Sequence, residues 1–533
     1  MQPVAADIGM DAKADVSSSE SKPQLPSKRY QRWLLSVFML VYVFNFVDRQ
    51  ILSILVEDIK KDLLIGDAQM GFLLGTSFAV FYAVFGIPLG RAADLCNRVK
   101  VISFGLVVWS LMTGLSGMAR SFAFLGVCRM GVGVGEASAS PAIYSLVFDY
   151  FPPHRRTQAI AVYTSGLFVG AGLGMGLGGW ILKSWKAAFP DPAMAPLHLK
   201  AWQAAFMAVG FPGLILAAVV LTLREPKRGG LDGVEVAAAR APMRELATTL
   251  LTMIPGAGVV LLASAGGGAA VRRNLVAAAI VALSVFCLVR LTRQPLQWIT
   301  LGIGAYVVIT WMQRLRALDA EGAAAIFDNK ALLISFVGFA GCCFLTVGPL
   351  AWLAAYFQRA LGAPPAEVGY ALGLSYAVAG FAGTVLGGIA TDRFVICYGN
   401  RARIAVAAVA IVLAVLAMAV CLSATNKTVA YLMTVPFNFF CAMWLAPAAA
   451  NVNSLVPPRL RATASGFYVI TQVFLGTSLA PFSVGLASDW FIAHDYGQVI
   501  ALRYAMLLSL LVVIPAFAAL GYSWKLSGTK AAA

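Results

Sequence analysis

Three ionisable residues lie inside long apolar stretches of this sequence. Asp48 lies towards the end of one stretch, while Arg129 and Glu136 stand seven residues apart in another. In an α-helix this spacing puts both side chains on one face, about 10.5 Å apart along the axis. An ionised side chain deep in a bilayer costs at least ~2.5–3.5 kcal/mol on insertion scales, so it persists where it pairs inside a cavity. The spacing therefore predicts a buried charge cluster.

Proton binding is the chemistry that such a cluster can perform. We expect Arg129 to be a fixed cation for which Asp48 and Glu136 compete, so that protonation of one carboxylate loosens the contact between two helices. A static ion-pair network that only fixes helix packing is the alternative. The histidines are not expected to form the relay, because all three fall in connecting segments. They are His154, His198 and His494.

Side chains near the cluster are candidates for substrate binding. Asn45 and Arg49 share the stretch of Asp48, and Arg49 either meets an anionic head group or reaches outward from the helix end. The second half of the chain has few charges but many aromatic residues in its apolar blocks. A charged wall facing an aromatic wall suits an amphiphile, although most aromatic residues of membrane helices face lipid or pack against neighbours. The aromatic candidates are Trp352, Tyr356, Phe437 and Trp444.

The elements that position these residues are predicted to be membrane helices. Hydrophobic residues make up 60% of the 533 residues, charged residues 12%, and the mean hydropathy is +0.80. This composition excludes an ordinary soluble domain, and apolar blocks of about 20 residues are long enough to cross a bilayer. We predict twelve spans, near 33–56, 68–90, 101–118, 122–147, 158–183, 203–223, 331–357, 367–391, 404–425, 429–455, 463–488 and 500–523.

The spans divide the chain into two bundles joined by an unusual linker. The linker carries further apolar runs, of which 275–291 and 297–313 are predicted to be membrane helices and 246–265 an interfacial or re-entrant segment. The predicted units are a disordered cytoplasmic tail at 1–30, an N-terminal six-helix bundle at 31–223, the linker at 224–330, a C-terminal six-helix bundle at 331–523 and a cytoplasmic tail at 524–533.

The charge distribution predicts topology and not a nucleic-acid partner. The net charge is +16, but the basic residues form short clusters at alternate ends of the spans, as they do in cytoplasmic loops. Both termini are therefore expected in the cytoplasm, and a bacterial inner membrane is the expected location. The eight cysteines form no paired framework, so no disulfide, metal or cofactor is predicted beyond protons as the coupling ion.

The two halves resemble each other in sequence. PPHRRTQAIAVY at 152–163 is similar to PPRLRATASGFY at 457–468, and Gly90 with Asp94 is repeated by Gly388 with Asp392. Repeats of this kind create a central interface around which two halves rock, with membrane lipid as the surroundings. Transport by a monomer is the natural expectation. No nucleotide fingerprint, metal-spaced His/Cys set or catalytic triad supports an enzyme.

The loop from Gly90 through Asp94 and Arg98 to Lys100 resembles the signature of the major facilitator superfamily. The resemblance implies an all-α fold of two pseudo-symmetric six-helix bundles, here with extra helices in the linker. Glycine permits close helix approach, and Asp94 with Arg98 can bridge neighbouring helix ends to hold a cytoplasmic gate. The further gating candidates are Arg155, Arg156 and Asp392.

The segment from Asn45 to Arg49, together with Arg129 and Glu136, resembles the Spinster family of these transporters. The resemblance covers roughly 30–228 and 331–523, and the inserted 229–330 departs from it. It implies movement of sphingoid lipids or lysophospholipids, with proton coupling suggested for some members.

Two other functions fit part of the sequence. Facilitators of organic anions, including hexuronate carriers, share a similar first helix, so an organic-anion:proton symporter is the first alternative. Arg49 and Arg129 would supply the two cations that such a cavity needs. A receptor or a lipid scramblase built on the facilitator frame is the second alternative.

Overall fold

The structure is a computed structural model that describes residues 27–229, 231 and 241–529. The described residues form helices and no strands, which confirms the all-α prediction. Within this described part, thirteen helices are long and apolar enough to cross a membrane. We call the end of the bundle at which the first helix begins the proximal end, and the opposite end the distal end.

The N-terminal half consists of six spans. Spans 2, 4 and 6 are each divided into two consecutive helices, and the two parts of span 4 are given separately below. The bounds are Lys28–Ile54 for span 1, Asp67–Leu95 for span 2, Arg98–Ser116 for span 3, Phe122–Glu136 with Ala139–Tyr150 for span 4, Pro153–Ala188 for span 5 and Ala201–Leu221 for span 6. Short helices at Val56–Leu63, Pro192–Met194 and Pro196–His198 connect spans at the distal end.

The C-terminal half repeats this arrangement. Its bounds are Lys330–Leu361 for span 7, Pro365–Tyr398 for span 8, Ala402–Ser423 for span 9, Lys427–Ser454 for span 10, Thr463–Ala493 for span 11 and Gln498–Leu526 for span 12. Spans 8 and 11 each contain a π-helical segment, at Tyr376–Gly380 and Gln472–Ser478. The last helix continues to Thr529.

Prolines explain the breaks in spans 4 and 10. Proline has no N–H, so the carbonyl four residues earlier loses its hydrogen bond. Pro141 accounts in this way for the end of the first helix of span 4 at Glu136, and Pro447 for the break of span 10 after Met443. The break in span 4 leaves Glu136 at the last turn of a helix inside the bundle.

The structure differs from the predicted boundaries at both termini. Span 1 begins at Lys28, inside the predicted tail 1–30, because Ser27 caps the helix by accepting a hydrogen bond from the Tyr30 N–H. Residues 1–26 lie outside the described part of the chain. The predicted tail 524–533 is helical as far as Thr529, where no proline interrupts the last helix.

The linker contains a surface helix, Pro242–Thr252, and two long helices that we call the first and second hairpin helices. The hairpin helices are Ala257–Thr292 and Pro295–Leu318. The predicted segment 246–265 is therefore not one element: Gly256, with φ +86°, separates the surface helix from the first hairpin helix. A short helix, Ala320–Phe327, leads into span 7.

The hairpin covers the seam between spans 2 and 11. Trp298 and Trp311 of the second hairpin helix pack on Phe482 and Phe467 of span 11, with ring centroids 5.5 and 4.8 Å apart. Between them, Gly304 lies against both Val80 of span 2 and Phe474 of span 11. The hairpin thus contacts both halves at one edge of their interface.

Glycines let the halves meet in the distal parts of their spans. A Cβ atom added at Gly71 of span 2 would lie 2.5 Å from the Pro481 carbonyl oxygen of span 11. One added at Gly179 of span 5 would lie 2.4 Å from the Pro365 carbonyl oxygen of span 8. Backbone therefore packs directly on backbone across the interface.

The first prediction tests this close packing. Gly179→Val should destabilise the purified protein by about 1–3 kcal/mol, the usual cost of overpacking, because the added side chain overlaps the Pro365 backbone. The control is Gly176→Val on the same span, where a Cβ would lie 3.6 Å from the Tyr370 ring. Thermal unfolding in detergent measures both, and equal losses in the two variants would contradict the proposed backbone contact.

Candidate functional site

The structure brings the predicted charge cluster together inside the N-terminal half. Asp48, Arg129 and Glu136 are each at most 2% exposed. Arg129 Nη1 donates a hydrogen bond to the backbone oxygen of Asp48 at 3.2 Å, and Thr113 Oγ1 donates to Asp48 Oδ2 at 3.1 Å. Spans 1, 3 and 4 therefore meet around Asp48.

The pairing within the cluster differs from the predicted one. Glu136 Oε2 accepts a hydrogen bond from Arg49 Nε at 2.7 Å, so its direct partner is Arg49 and not Arg129. Arg129 and Glu136 lie two helical turns apart, so the Arg129 guanidinium beside Asp48 cannot also pair with the Glu136 carboxylate. Arg49, one residue beyond Asp48, supplies the second cation. Whether these residues couple protons remains a prediction.

Aromatic rings surround the Arg49 guanidinium. Its Cζ lies 4.9 Å from the ring centroid of Phe46, 4.4 Å from that of Phe78 and 4.8 Å from that of Tyr82. The Arg129 Cζ lies 5.5 Å from the same Phe78 ring, which thus faces two cations. The negative ring faces stabilise cations that have lost most of their water.

Tyrosines extend this aromatic surface within the N-terminal half. The Tyr42 and Tyr163 ring centroids are 4.4 Å apart, and those of Tyr144 and Tyr163 are 5.6 Å apart. The aromatic wall predicted from the sequence lies in the second half alone and does not include these residues. Phe78 and Tyr82 stand four residues apart on span 2, and this spacing, which places both rings on one helical face, could have identified them from the sequence.

Several buried atoms of the cluster have no hydrogen-bond partner within the described protein. They are Asn45 Oδ1, Asp48 Oδ1, Arg129 Nε and Glu136 Oε1. A buried polar group without a partner costs about 1–3 kcal/mol, so native proteins keep few of them. The free carboxylate oxygens are suited to accept a proton or an ammonium group.

The four aromatic candidates of the C-terminal half are packed inside that half. Trp352 Nε1 donates to the Pro481 carbonyl oxygen at 2.9 Å, and the Tyr356 hydroxyl donates to the Leu422 carbonyl oxygen at 3.0 Å. Trp444 Nε1 donates to Thr346 Oγ1 at 3.1 Å, and Phe437 is 1% exposed. These contacts fix the rings, and substrate binding by the four residues remains a prediction.

At the proximal end, Arg98 is the centre of a buried ionic contact. It pairs with Asp149 at the end of span 4, and its Nε lies 2.7 Å from Glu225 Oε1 after span 6. Asp94 has an exposed side chain, and its described ion-pair partner is Arg91, 3.8 Å away on the same span. Arg98 thus joins helix ends within the N-terminal half, whereas among the described residues Asp94 forms no ion pair between helices. The gating role of both residues remains a prediction.

The other gating candidates are less engaged with neighbouring helices. A Cβ atom at Gly90 would lie 3.9 Å from Pro141, which leaves room between the two helices. Arg156 donates to the backbone oxygens of Phe148 and Phe151 within its own half. Arg155 and Asp392 are exposed.

A second ionic network, which the sequence analysis missed, joins the halves at the distal end. Arg359 of span 7 pairs with Glu57 at 2.7 Å and with Asp67 of span 2 at 2.7 Å. Lys60 also pairs with Asp67. Asp489 of span 11 accepts hydrogen bonds from the backbone N–H groups of residues 67 and 68, both at 2.8 Å. The network closes the distal end, and its members are too far apart in sequence to show a pattern.

The family model described as Major Facilitator Superfamily matches residues 38–481. The chain belongs to this superfamily. The facilitator fold is also that of the crystal structure of a bacterial homolog to human lysosomal transporter Spinster in an inward-facing, unoccupied conformation. That structure has a TM-score of 0.70 and 22% sequence identity, and covers 94% of this chain and 98% of its own.

Curated relatives place the chain among several kinds of facilitator. An MFS-type efflux pump of Mycolicibacterium smegmatis is 25% identical over 85% of this chain and 84% of the pump. The hexuronate transporter of Bacillus subtilis is 34% identical over 32% of the chain, and protein spinster of Drosophila melanogaster 27% identical over 38%. The last two matches span 39% and 31% of those proteins. The predicted resemblance to Spinster facilitators is confirmed.

The second prediction concerns the ion pair of this facilitator. Arg49→Gln and Glu136→Gln should each lower the melting temperature, because each leaves a buried charge without its partner. The double variant should lose less stability than the two single variants lose together, and the difference gives an interaction energy of about 0.5–3 kcal/mol. Strictly additive losses in detergent would show that Arg49 and Glu136 do not interact.

The third prediction concerns the distal network. Arg359→Gln should favour separation of the distal ends, because it removes the cation that faces Glu57 and Asp67. Spin labels at Leu64→Cys and His494→Cys, with Cys287 and Cys397 replaced by Ser, report the distance between the halves. Pulsed dipolar spectroscopy should show a larger long-distance population.

The matched control for the distal network is Lys427→Gln. It breaks an exposed pair with Glu367 within the C-terminal half. An unchanged distance distribution in Arg359→Gln, or the same change in both variants, would contradict the conclusion that Arg359 holds the halves together at the distal end.

Proposed function

We propose that this facilitator moves small amphiphilic lipids, of the lysophospholipid or sphingoid class, by proton-linked alternating access. The observation that carries the proposal is the Arg49–Glu136 ion pair inside a cage of aromatic rings. The pair joins a proton-accepting carboxylate to a cation that can bind a phosphate group. Protons are the only coupling ion, and no cofactor or metal takes part.

The proposed coupling is a competition for Arg49. While Glu136 is ionised, its carboxylate occupies the guanidinium and blocks an incoming anionic head group. Protonation removes this charge, so the Arg49 guanidinium becomes available and proton and head group occupy the site together. When the proton leaves, the carboxylate displaces the head group again.

Asp48 and Arg129 are proposed as the fixed side of the site. Arg129 is bound to the Asp48 backbone and faces the Phe78 ring, so it stays close to span 1. The free oxygens of Asp48 and Glu136 offer acceptors for the ammonium group of a zwitterionic head. The tyrosine surface of the N-terminal half would contact the apolar part of the substrate.

The comparisons support both a lipid and a second substrate class. The likeness to Spinster proteins favours a lipid. The hexuronate transporter matches a third of this chain at 34% identity, which favours an organic-anion:proton symporter that uses Arg49 and Arg129 as its two cations. A facilitator-fold scramblase or receptor is the remaining alternative. In each case we propose a monomer in a bacterial inner membrane, with the proximal end and both termini in the cytoplasm.

The fourth prediction tests substrate and coupling together. The purified protein in liposomes is given a labelled lysophospholipid, a labelled sphingoid lipid or a labelled hexuronate, with and without an imposed pH gradient. With one coupled proton, each unit of the pH gradient should produce up to about tenfold accumulation of the substrate across the liposome membrane. Glu136→Gln should keep movement down the substrate gradient but lose its response to the pH gradient, and Asp48→Asn tests the second carboxylate.

The control for coupling is Glu367→Gln, an exposed acid in the C-terminal half. It should behave like the unmodified protein. Lipid movement that is independent of the pH gradient in every variant would indicate scrambling. Movement of hexuronate alone, driven by the pH gradient, would indicate the organic-anion symporter. A full pH response in Glu136→Gln and Asp48→Asn would exclude the proposed coupling.

A further inference from the structure

A basic cavity of about 320 Å³ opens at the proximal end, between the first turns of spans 1 and 5. Lys28 and Arg32 line it from span 1, and Arg155 lines it from span 5. Gln31 and Gln158 add amide groups to the same wall. Five polar side chains from two helices thus converge on one small space, which we call the proximal basic cavity.

The proximal basic cavity has an uncompensated positive charge. Among the described residues that line it, three are cations and none is acidic. No described ion pair includes Lys28, Arg32 or Arg155, whereas neighbouring Arg156 is held by backbone oxygens. Spans 1 and 5 also both begin here, which adds the positive ends of two long helices. Such crowding of like charge favours binding of an anion.

The remaining walls of the cavity are apolar. Leu35 and Val162 line it on the side that continues along spans 1 and 5, and Phe151, just before span 5, adds an apolar ring. Val162 is 36% exposed and Trp33, on the same turn of span 1 as Arg32, is 49% exposed. Tryptophan and arginine at the end of a membrane helix mark the head-group region of a bilayer. The cavity therefore joins a basic pocket to an apolar surface.

We propose that the proximal basic cavity binds an anionic phospholipid of the surrounding leaflet. The phosphate group lies among Lys28, Arg32 and Arg155, and an acyl chain follows the apolar wall formed by Leu35 and Val162. A soluble phosphate would use the cations but not this wall. The site is separate from the charge cluster around Arg49 and does not depend on the transported substrate. The bound lipid ties the starts of spans 1 and 5 together.

Native mass spectrometry of the full chain tests the proposal. The probes are phosphatidylglycerol, phosphatidylcholine and glycerol phosphate, added to protein that has been stripped of lipid. A basic residue near an anionic surface contributes roughly a fivefold change in affinity, so Arg32→Gln with Arg155→Gln should weaken phosphatidylglycerol binding about 30-fold. The matched control is Arg29→Gln with Lys100→Gln, which removes two exposed proximal cations that do not line the cavity.

Each outcome bears on the proposal. The proposal is supported if the protein retains phosphatidylglycerol in preference to phosphatidylcholine, if the cavity variant loses this preference, and if the control variant keeps it. Equal loss in both variants would show a diffuse attraction to basic loops and would overturn it. Glycerol phosphate binding as tightly as the lipid would overturn the assignment to lipid. Thermal unfolding without lipid verifies that both double variants remain folded.

Discussion

Every ionised side chain inside the bundle must meet a counter-charge or the face of an aromatic ring, because the interior of a bilayer offers no water to solvate it. This constraint explains the arrangement of the N-terminal half. Arg49 reaches Glu136 across spans 1 and 4, and the rings of Phe46, Phe78 and Tyr82 cover the rest of its charge. The break of span 4 after Glu136 follows from Pro141 and leaves the carboxylate at a helix end within the bundle.

The same constraint applies to the distal interface between the halves. Asp67 and Arg359 have side chains that are 0% and 5% exposed, and separating the halves takes Arg359 away from both of its described ion partners, Glu57 and Asp67. The glycine contacts of spans 2 and 5 add backbone packing that is lost at the same time. Opening the distal end is therefore costly unless Glu57, Asp67 and Arg359 gain water or new partners. Tightly packed interfaces of this kind exchange between discrete arrangements and do not deform continuously.

The inserted hairpin makes the two edges of the interface unequal. At the edge between spans 2 and 11, the second hairpin helix contacts span 11 at Trp298 and Trp311 and touches span 2 at Gly304. At the edge between spans 5 and 8, an apolar crevice of about 520 Å³ lies between Leu173 and Tyr370. Any movement of the halves must slide the hairpin along at least one of its two neighbours, since it packs on both.

The sequence by itself determined the approximate positions of the spans and the shared helical face of Arg129 and Glu136. These features depend on hydrophobic runs and on helical periodicity, which act within one segment. The tertiary structure decided that Glu136 meets Arg49, that Arg359 meets Asp67 almost three hundred residues away, and that the hairpin lies between spans 2 and 11. Those pairings depend on the depth and rotation of each helix relative to its neighbours, and packing across the whole bundle sets both.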